Sequence, residues 1–311
     1  MLSQSITPQH RGISRMKALR TAAIASLATL AVANTSARAE LPDQAVEIRF
    51  DARVGDQPAR CDMAYSGIGS SKADMRLQDL RIYVSNLRLI GAEGNAVPVA
   101  LTPDGQWQND HVVLLDFEDR SGNCNGNGAT NMVVRGTVPA GDYDGLLFEI
   151  GVPVAVNHQD PTLADAPLNV TAMTWPWRIG YKFIGIDIES SPADQAAAAA
   201  SAARPGAATG FSIHLGSTDC GDGNPMSAPQ VPCANGNRPT YRLAGFDPAG
   251  STVILDLAAL LAGTDITVNA AETASGCMSF PGDSDCIAIF DRLGLAFGGQ
   301  PSAGQQWVRA E

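Results

Sequence analysis

Beyond residue 39 the chain holds three histidines, His111, His158 and His214, and in so sparse a set each one is a candidate for chemistry. His158 stands in "VNHQDP", a polar stretch with the composition of a loop, and loops carried by a rigid scaffold are where ligating side chains concentrate. His214 stands in "GFSIHLGS". There the period of two sets Phe211, Ile213 and Leu215 on one face and Ser212, His214 and Gly216 on the other. Small neighbours leave room beside that imidazole. The second unusual group is "MTWPWRIGYKF", residues 173–183, which concentrates two of the four tryptophans in the chain. Read as an extended strand, it projects Trp175, Trp177, Ile179, Tyr181 and Phe183 to one face. Pro176 between the indoles removes a ladder donor and so marks an edge or a bulge. If this strand pairs with the one carrying His214, a tryptophan and a histidine approach across the sheet. Few imidazoles in aromatic surroundings, without a cluster of carboxylates, suit copper better than calcium or magnesium.

Other chemistries find no support. The hydrolase elbow GxSxG, the phosphate-binding P-loop and the HExxH zinc motif are absent, and "GFSIHLG" misses the first by carrying His214 where a glycine belongs. The acid pairs Asp283/Asp285 and Asp160/Asp165 lack the spacing of a calcium loop and read as solvated turn carboxylates.

The elements that must position these residues read as short alternating runs between Gly, Pro, Asn and Asp: "VEIRFDARV", "LRIYVSNLRLI", "VVLLDF", "NMVVRGTV", "GLLFEIGVPV", "MTWPWRIGYKFIGIDIE", "GFSIHLGS", "TYRLAGF" and "TVILDL". Some nine strands joined by polar turns give an all-β fold, an antiparallel β-sandwich with disulfide-stapled loops. Helix is confined to a turn or two over 257–262 and 286–293. Residues 192–209, "PADQAAAAASAARPGAAT", read as an exposed alanine-rich insertion between two strands that pair. No fixed-period repeat is visible, so one domain over 40–311 is expected.

Residues 1–39 carry Arg11, Arg15, Lys17, Arg20 and Arg38 and no acid, then an apolar run over 22–33 and the triplet Ala37-Arg38-Ala39. That is the pattern of a secretory signal peptide cut after Ala39, and the run is too short to span a membrane. All 32 acidic residues lie beyond it, so the exported part is more acidic than the net charge of −11 for the whole chain, which disfavours nucleic acid and anionic lipid as partners. The six cysteines, Cys61, Cys124, Cys220, Cys233, Cys277 and Cys286, then meet an oxidising compartment. Pairing each with its nearest neighbour in sequence gives three disulfides among the 15 connectivities open to six cysteines.

"RIYVSNLRLI", "VVLLDFED", "NHQDP", "MTWPWRIGYKF", "FSIHLGSTDC", "NRPTYRL" and "GCMSFPGDSDC" together resemble, in order, the MbnP-like family of periplasmic copper-binding proteins. The resemblance implies a β-rich, periplasmic or secreted, non-catalytic copper protein. It implies a partner, a di-haem protein similar to cytochrome c peroxidase, that oxidises a tryptophan to kynurenine, which with histidines holds Cu(I). Carried over by position, the metal-site residues are His158, Trp175, Trp177 and His214. Cys220, Cys233, Cys277 and Cys286 correspond to the cysteines of the family, leaving Cys61 and Cys124 as an additional pair. His111 has no counterpart in the resemblance and is a weak candidate. The competing expectation is a structural or carbohydrate-binding sandwich that presents an exposed aromatic such as Trp107 and binds no metal.

Overall fold

The computed structural model describes residues 42–176, 178–191, 210–221 and 223–311. The expected signal segment 1–39, the alanine-rich stretch 192–209 and Trp177 lie outside the described residues. Residues Glu40–Glu311 form one compact unit.

Strand β1 (Asp43–Val54) shows why the chain makes a sandwich. Val46, Ile48, Phe50, Ala52 and Val54 alternate inward against polar neighbours that face out. It pairs antiparallel with β8 (Val133–Pro139) and β2 (Gln57–Pro58). Its other neighbour, β13 (Thr252–Asp256), runs parallel to it, the exception to an otherwise antiparallel plan. A parallel neighbour requires a long crossover, and here the whole second sheet lies between the two strands in sequence. The strands β14 (Val308–Ala310) and β6 (Ala100–Leu101) complete this sheet.

The second sheet is organised on β4 (Ala73–Gly91), a 19-residue strand. It pairs with β3 (Tyr65–Ile68), β5 (Ala96–Pro98), β7 (Val112–Asp116), β9 (Tyr143–Ile150) and β10 (Lys182–Ser191). The strand β12 (Thr240–Ala244) extends it beyond β9, and β11 (Gly210–Gly216) beyond β10. The expected pairing of the tryptophan-bearing segment with the histidine-bearing strand is present only for the second half of the run, as β10 against β11 in antiparallel register, and Trp175 lies outside that ladder. Between the sheets Phe50 meets Phe148 edge to face at 5.5 Å, an arrangement the ring quadrupoles favour. The buried Trp307 donates its indole N–H to the Tyr241 hydroxyl at 2.9 Å, and that hydroxyl donates to the Leu293 carbonyl at 3.0 Å.

Helices occupy Leu257–Leu261, where the Asp256 carboxylate accepts from the Ala259 N–H at 3.2 Å, and Cys286–Leu293, which ends on the left-handed Gly294. Nearest-neighbour disulfides join Cys61 to Cys124, Cys220 to Cys233 and Cys277 to Cys286.

One expected strand is shorter than its pattern. Residues 173–181 do not continue β10. Thr171–Met173 is a single 3₁₀ turn, and after it the chain folds into a tight loop that Thr174 and Tyr181 close by bridging. The Trp175 N–H donates to the Gly180 carbonyl at 3.0 Å and the Ile179 N–H to the Pro176 carbonyl at 2.8 Å. Pro176 has no N–H for a ladder, and Gly180 turns the chain with a φ of 91°, a value few other residues tolerate. The apolar alternation was real, but the turn chemistry of proline and glycine overrode it.

Because the Cys61–Cys124 bridge spans 63 residues, its loss releases a long loop in the unfolded chain. A Cys61→Ser/Cys124→Ser double variant is expected to lose about 2 to 4 kcal/mol of stability. Guanidinium denaturation measures this, and an unchanged midpoint would contradict it.

Candidate metal centre

On the outer face of the second sheet, β10 and β11 place a row of polar groups beside two glycines. His214 lies directly opposite Gly185, which lies opposite Arg81 of β4, which lies opposite Asp116 of β7. One step along the strands the facing residues are Ser212, Asp187 and Asp79. The face is polar by alternation, yet it is not open to water: Arg81 and Asp116 are buried, and His214, Asp187 and Asp79 are half-buried.

His214 is held from two sides. Its backbone N–H donates to the Cys277 carbonyl at 2.9 Å, so the segment tied down by the Cys277–Cys286 disulfide lies along the free edge of β11. Its ring Nε2 stands 2.9 Å from Asp187 Oδ1. Burial pushes the Asp187 carboxyl up, but the hydrogen bond and field of His214, the Ser212 hydroxyl and Lys182 outweigh it and hold the group below its ordinary value. An ionised carboxylate only accepts, so the Nε2 that faces it is the donor, and in the neutral tautomer of the ring the lone pair falls on Nδ1. Carboxylate, histidine and an open ring nitrogen form the arrangement that presents imidazoles to metals.

The tryptophan loop covers this face. Gly216 follows His214 by two residues and so shares its face, and any side chain there would run into the six-membered ring of Trp175. The indole thus lies against the strand at Gly216, beside His214. It meets Phe280 at 5.8 Å between ring centroids. A Cβ at Gly185 would lie 2.9 Å from the Met173 sulfur, so the buried thioether rests directly across from His214.

His158 sits at the same end of the strand pair. The Tyr181 N–H donates to Asn157 Oδ1 at 3.2 Å, and Asn157 Nδ2 lies 3.2 Å from His158 Nε2. The same ring nitrogen is 3.5 Å from Cys233 Sγ. His158, Cys220 and Cys233 therefore cluster, as do Cys61, Glu118 and Cys124, but in both groups the sulfurs are already joined to each other. His111 is exposed on the turn before β7 and joins neither group. Trp107 is half-buried and packs in part against the core. Of the acid pairs, read from the sequence as solvated turn carboxylates, Asp160 does cap a turn by accepting from Thr162, but Asp283 is buried and accepts from Asp285 and Met278, and Asp285 ties down the distant Ala270.

The sequence singled out His214 and Trp175, which the structure brings to one face, but not Met173 and Asp187, which lie beside them. The available signal was the glycine inside each strand run, "FIGIDIE" and "IHLGS", since a glycine in a strand interior marks a close approach by something else.

The buried charge row ends on β7. Arg81 pairs with Asp79 through both guanidinium nitrogens that face it, the Nε bond measuring 2.7 Å. Asp116 is left with only a share of that cation. Burial pushes its carboxyl up to about 7, with Arg81 opposing and Glu118 adding to the rise. The loop after it closes around Glu118, whose Oε2 accepts from the Gly126 N–H at 3.1 Å and the Arg120 N–H at 3.3 Å.

The sequence profile of the MbnP family matches residues 43–279. Among solved structures the chain is similar to MbnP from Methylosinus trichosporium, with 33% identity and a TM-score of 0.74 over 87% of this chain and 99% of that one. No curated protein matches.

A raised carboxyl binds its proton more tightly folded than unfolded. The Asp116 contribution to stability is therefore fully present at and below about pH 4, falls as pH rises towards about 7, and is flat beyond. Asp116→Asn is expected to remove that decline and to be the more stable protein at about pH 8, by on the order of a few kcal/mol at most. Urea midpoints at about pH 5 and about pH 8 check it, and a variant with the parent's slope would contradict it.

Proposed function

The chain belongs to the MbnP family, and from that premise we propose that it is an exported, non-catalytic copper-binding protein that holds Cu(I) on His214 and His158 beside an oxidised Trp175. The observation that carries the reading is the Trp175 indole lying over Gly216 on the face of His214, whose second ring nitrogen is occupied by Asp187.

The donor set suits this cargo. Imidazoles and an aromatic amine are borderline-soft donors that satisfy a low-coordinate monovalent copper ion, whereas calcium demands about six to eight oxygens. The carboxylate nearest the site is engaged with His214 and Ser212. Bound copper would be carried, with Asp187 orienting one imidazole, Asn157 the other, and the Trp175–Phe280 pair limiting access of water.

Trp175 as written in the sequence is a poor donor, because the indole N–H lone pair belongs to the ring. Opening the ring changes that. With a di-haem protein similar to cytochrome c peroxidase as the partner and hydrogen peroxide as the oxidant, two peroxides carry the indole to N-formylkynurenine with release of two waters. Hydrolysis then releases formate and leaves kynurenine, an aryl amine and a ketone. Each peroxide accepts two electrons, so the oxidation balances. The indole is half-buried and rests on a glycine, so the altered ring keeps its seat without a change in the strand beneath. On this reading the protein is exported to the periplasm by the leader read in residues 1–39 and serves copper acquisition or homeostasis there.

Copper titrations should show His214→Ala and His158→Ala each weakening binding by roughly 10-fold or more, with His111→Ala close to the parent. Protein made together with the di-haem partner should gain two oxygen atoms less one carbonyl in mass, and Trp175→Phe should lose that gain and copper together. Parent-like copper binding by both histidine variants would overturn the reading.

A further inference from the structure

We propose that Met173 is a thioether ligand to the same copper ion, making the centre a histidine–methionine site selective for the reduced metal. The inference rests on the reading above and adds a donor to it.

Met173 is fully buried at the end of the Thr171–Met173 turn, and its presence is accommodated at a cost in β10. Gly185 interrupts the run Phe183, Ile184, Ile186 and Ile188, where a glycine forfeits both packing and backbone entropy. What that absent side chain admits is the Met173 sulfur, 2.9 Å from where a Cβ would stand. Because Gly185 is the direct cross-strand partner of His214, facing Cβ positions there lie about 4.5 to 5.5 Å apart. Sulfur and imidazole therefore converge on one small region of the outer face, with the Trp175 ring two residues along. Asp187 draws the Nε2 end of the imidazole to itself and leaves Nδ1 for the metal. An apolar role asks only for bulk at this position. A leucine would give that with a better-defined shape, whereas methionine adds the soft, polarisable donor that favours Cu(I) over harder divalent ions.

The test uses the full-length protein made with its di-haem partner. Met173→Leu keeps the volume and the apolar contact, so its melting temperature is expected to stay near that of the parent. Its affinity for Cu(I), read by competition with a chromophoric chelator, should fall roughly 10-fold or more, as loss of even an outer-shell partner does. Zn(II) binding should stay unchanged, since a thioether adds little for that ion. X-ray absorption at the copper edge should show one sulfur neighbour in the parent and none in the variant, a measurement on the parent that stands even if the variant folds poorly. A parent that binds copper through His214 with no sulfur neighbour, or a variant with undiminished Cu(I) affinity, overturns the Met173 assignment alone. A parent that binds no copper overturns this assignment and the proposed function together.

Discussion

The site depends on two places where a strand carries no side chain. Gly185 and Gly216 lie on the outer face of β10 and β11, one across from His214 and the other next to it in its own strand. Into the first gap goes the Met173 sulfur and onto the second the Trp175 ring. A larger residue at either position would lift the 171–180 segment off the sheet and separate the groups that now meet. The turn at 176–179 supplies the matching half of the fit, because it brings the chain back along β10 in a single tight loop. Backbone conformation at Pro176 and Gly180 and space at Gly185 and Gly216 are thus one design.

The imidazole at the centre of that design is embedded in a line of charge. From His214 the contacts run to Asp187, and the rows across β10, β4 and β7 continue through Asp79, Arg81 and Asp116. The two ends of the line carry opposite demands. At Asp187 favourable hydrogen bonds overcome burial and keep the carboxylate ionised, which in turn fixes the proton of His214 on Nε2. At Asp116 burial wins, because Arg81 is already spent on Asp79. An acidic group that holds its proton to near neutrality spares the sheet an unpaired negative charge.

Much of this was legible in the sequence because it is local. The period of two identified the strands, set His214 outward and Phe211, Ile213 and Leu215 inward, and short separations matched the Cys220–Cys233 and Cys277–Cys286 bridges. What stayed hidden is non-local or ambiguous. The parallel pairing of β1 with β13 joins the two ends of the domain and has no signature in either strand. The row from Asp116 to His214 exists only through the register of four strands at once. Met173 reads as an ordinary apolar residue until the glycine beneath it is placed, and Asp187 reads as a surface acid until its diagonal neighbour is known. Trp175 and Tyr181 share a parity that suggests one strand face, but Pro176 and Gly180 bend the chain between them.

The central claim is that copper sits against the outer face of β10 and β11, within bonding reach of His214. Diffraction from crystals of the copper-loaded protein, collected on both sides of the copper absorption edge, tests it most directly. The account expects one anomalous peak beside His214 Nδ1, over the gap between Gly185 and the Trp175 ring. A peak at His111 or among turn carboxylates such as Asp283 and Asp285, with none on this face, would contradict it.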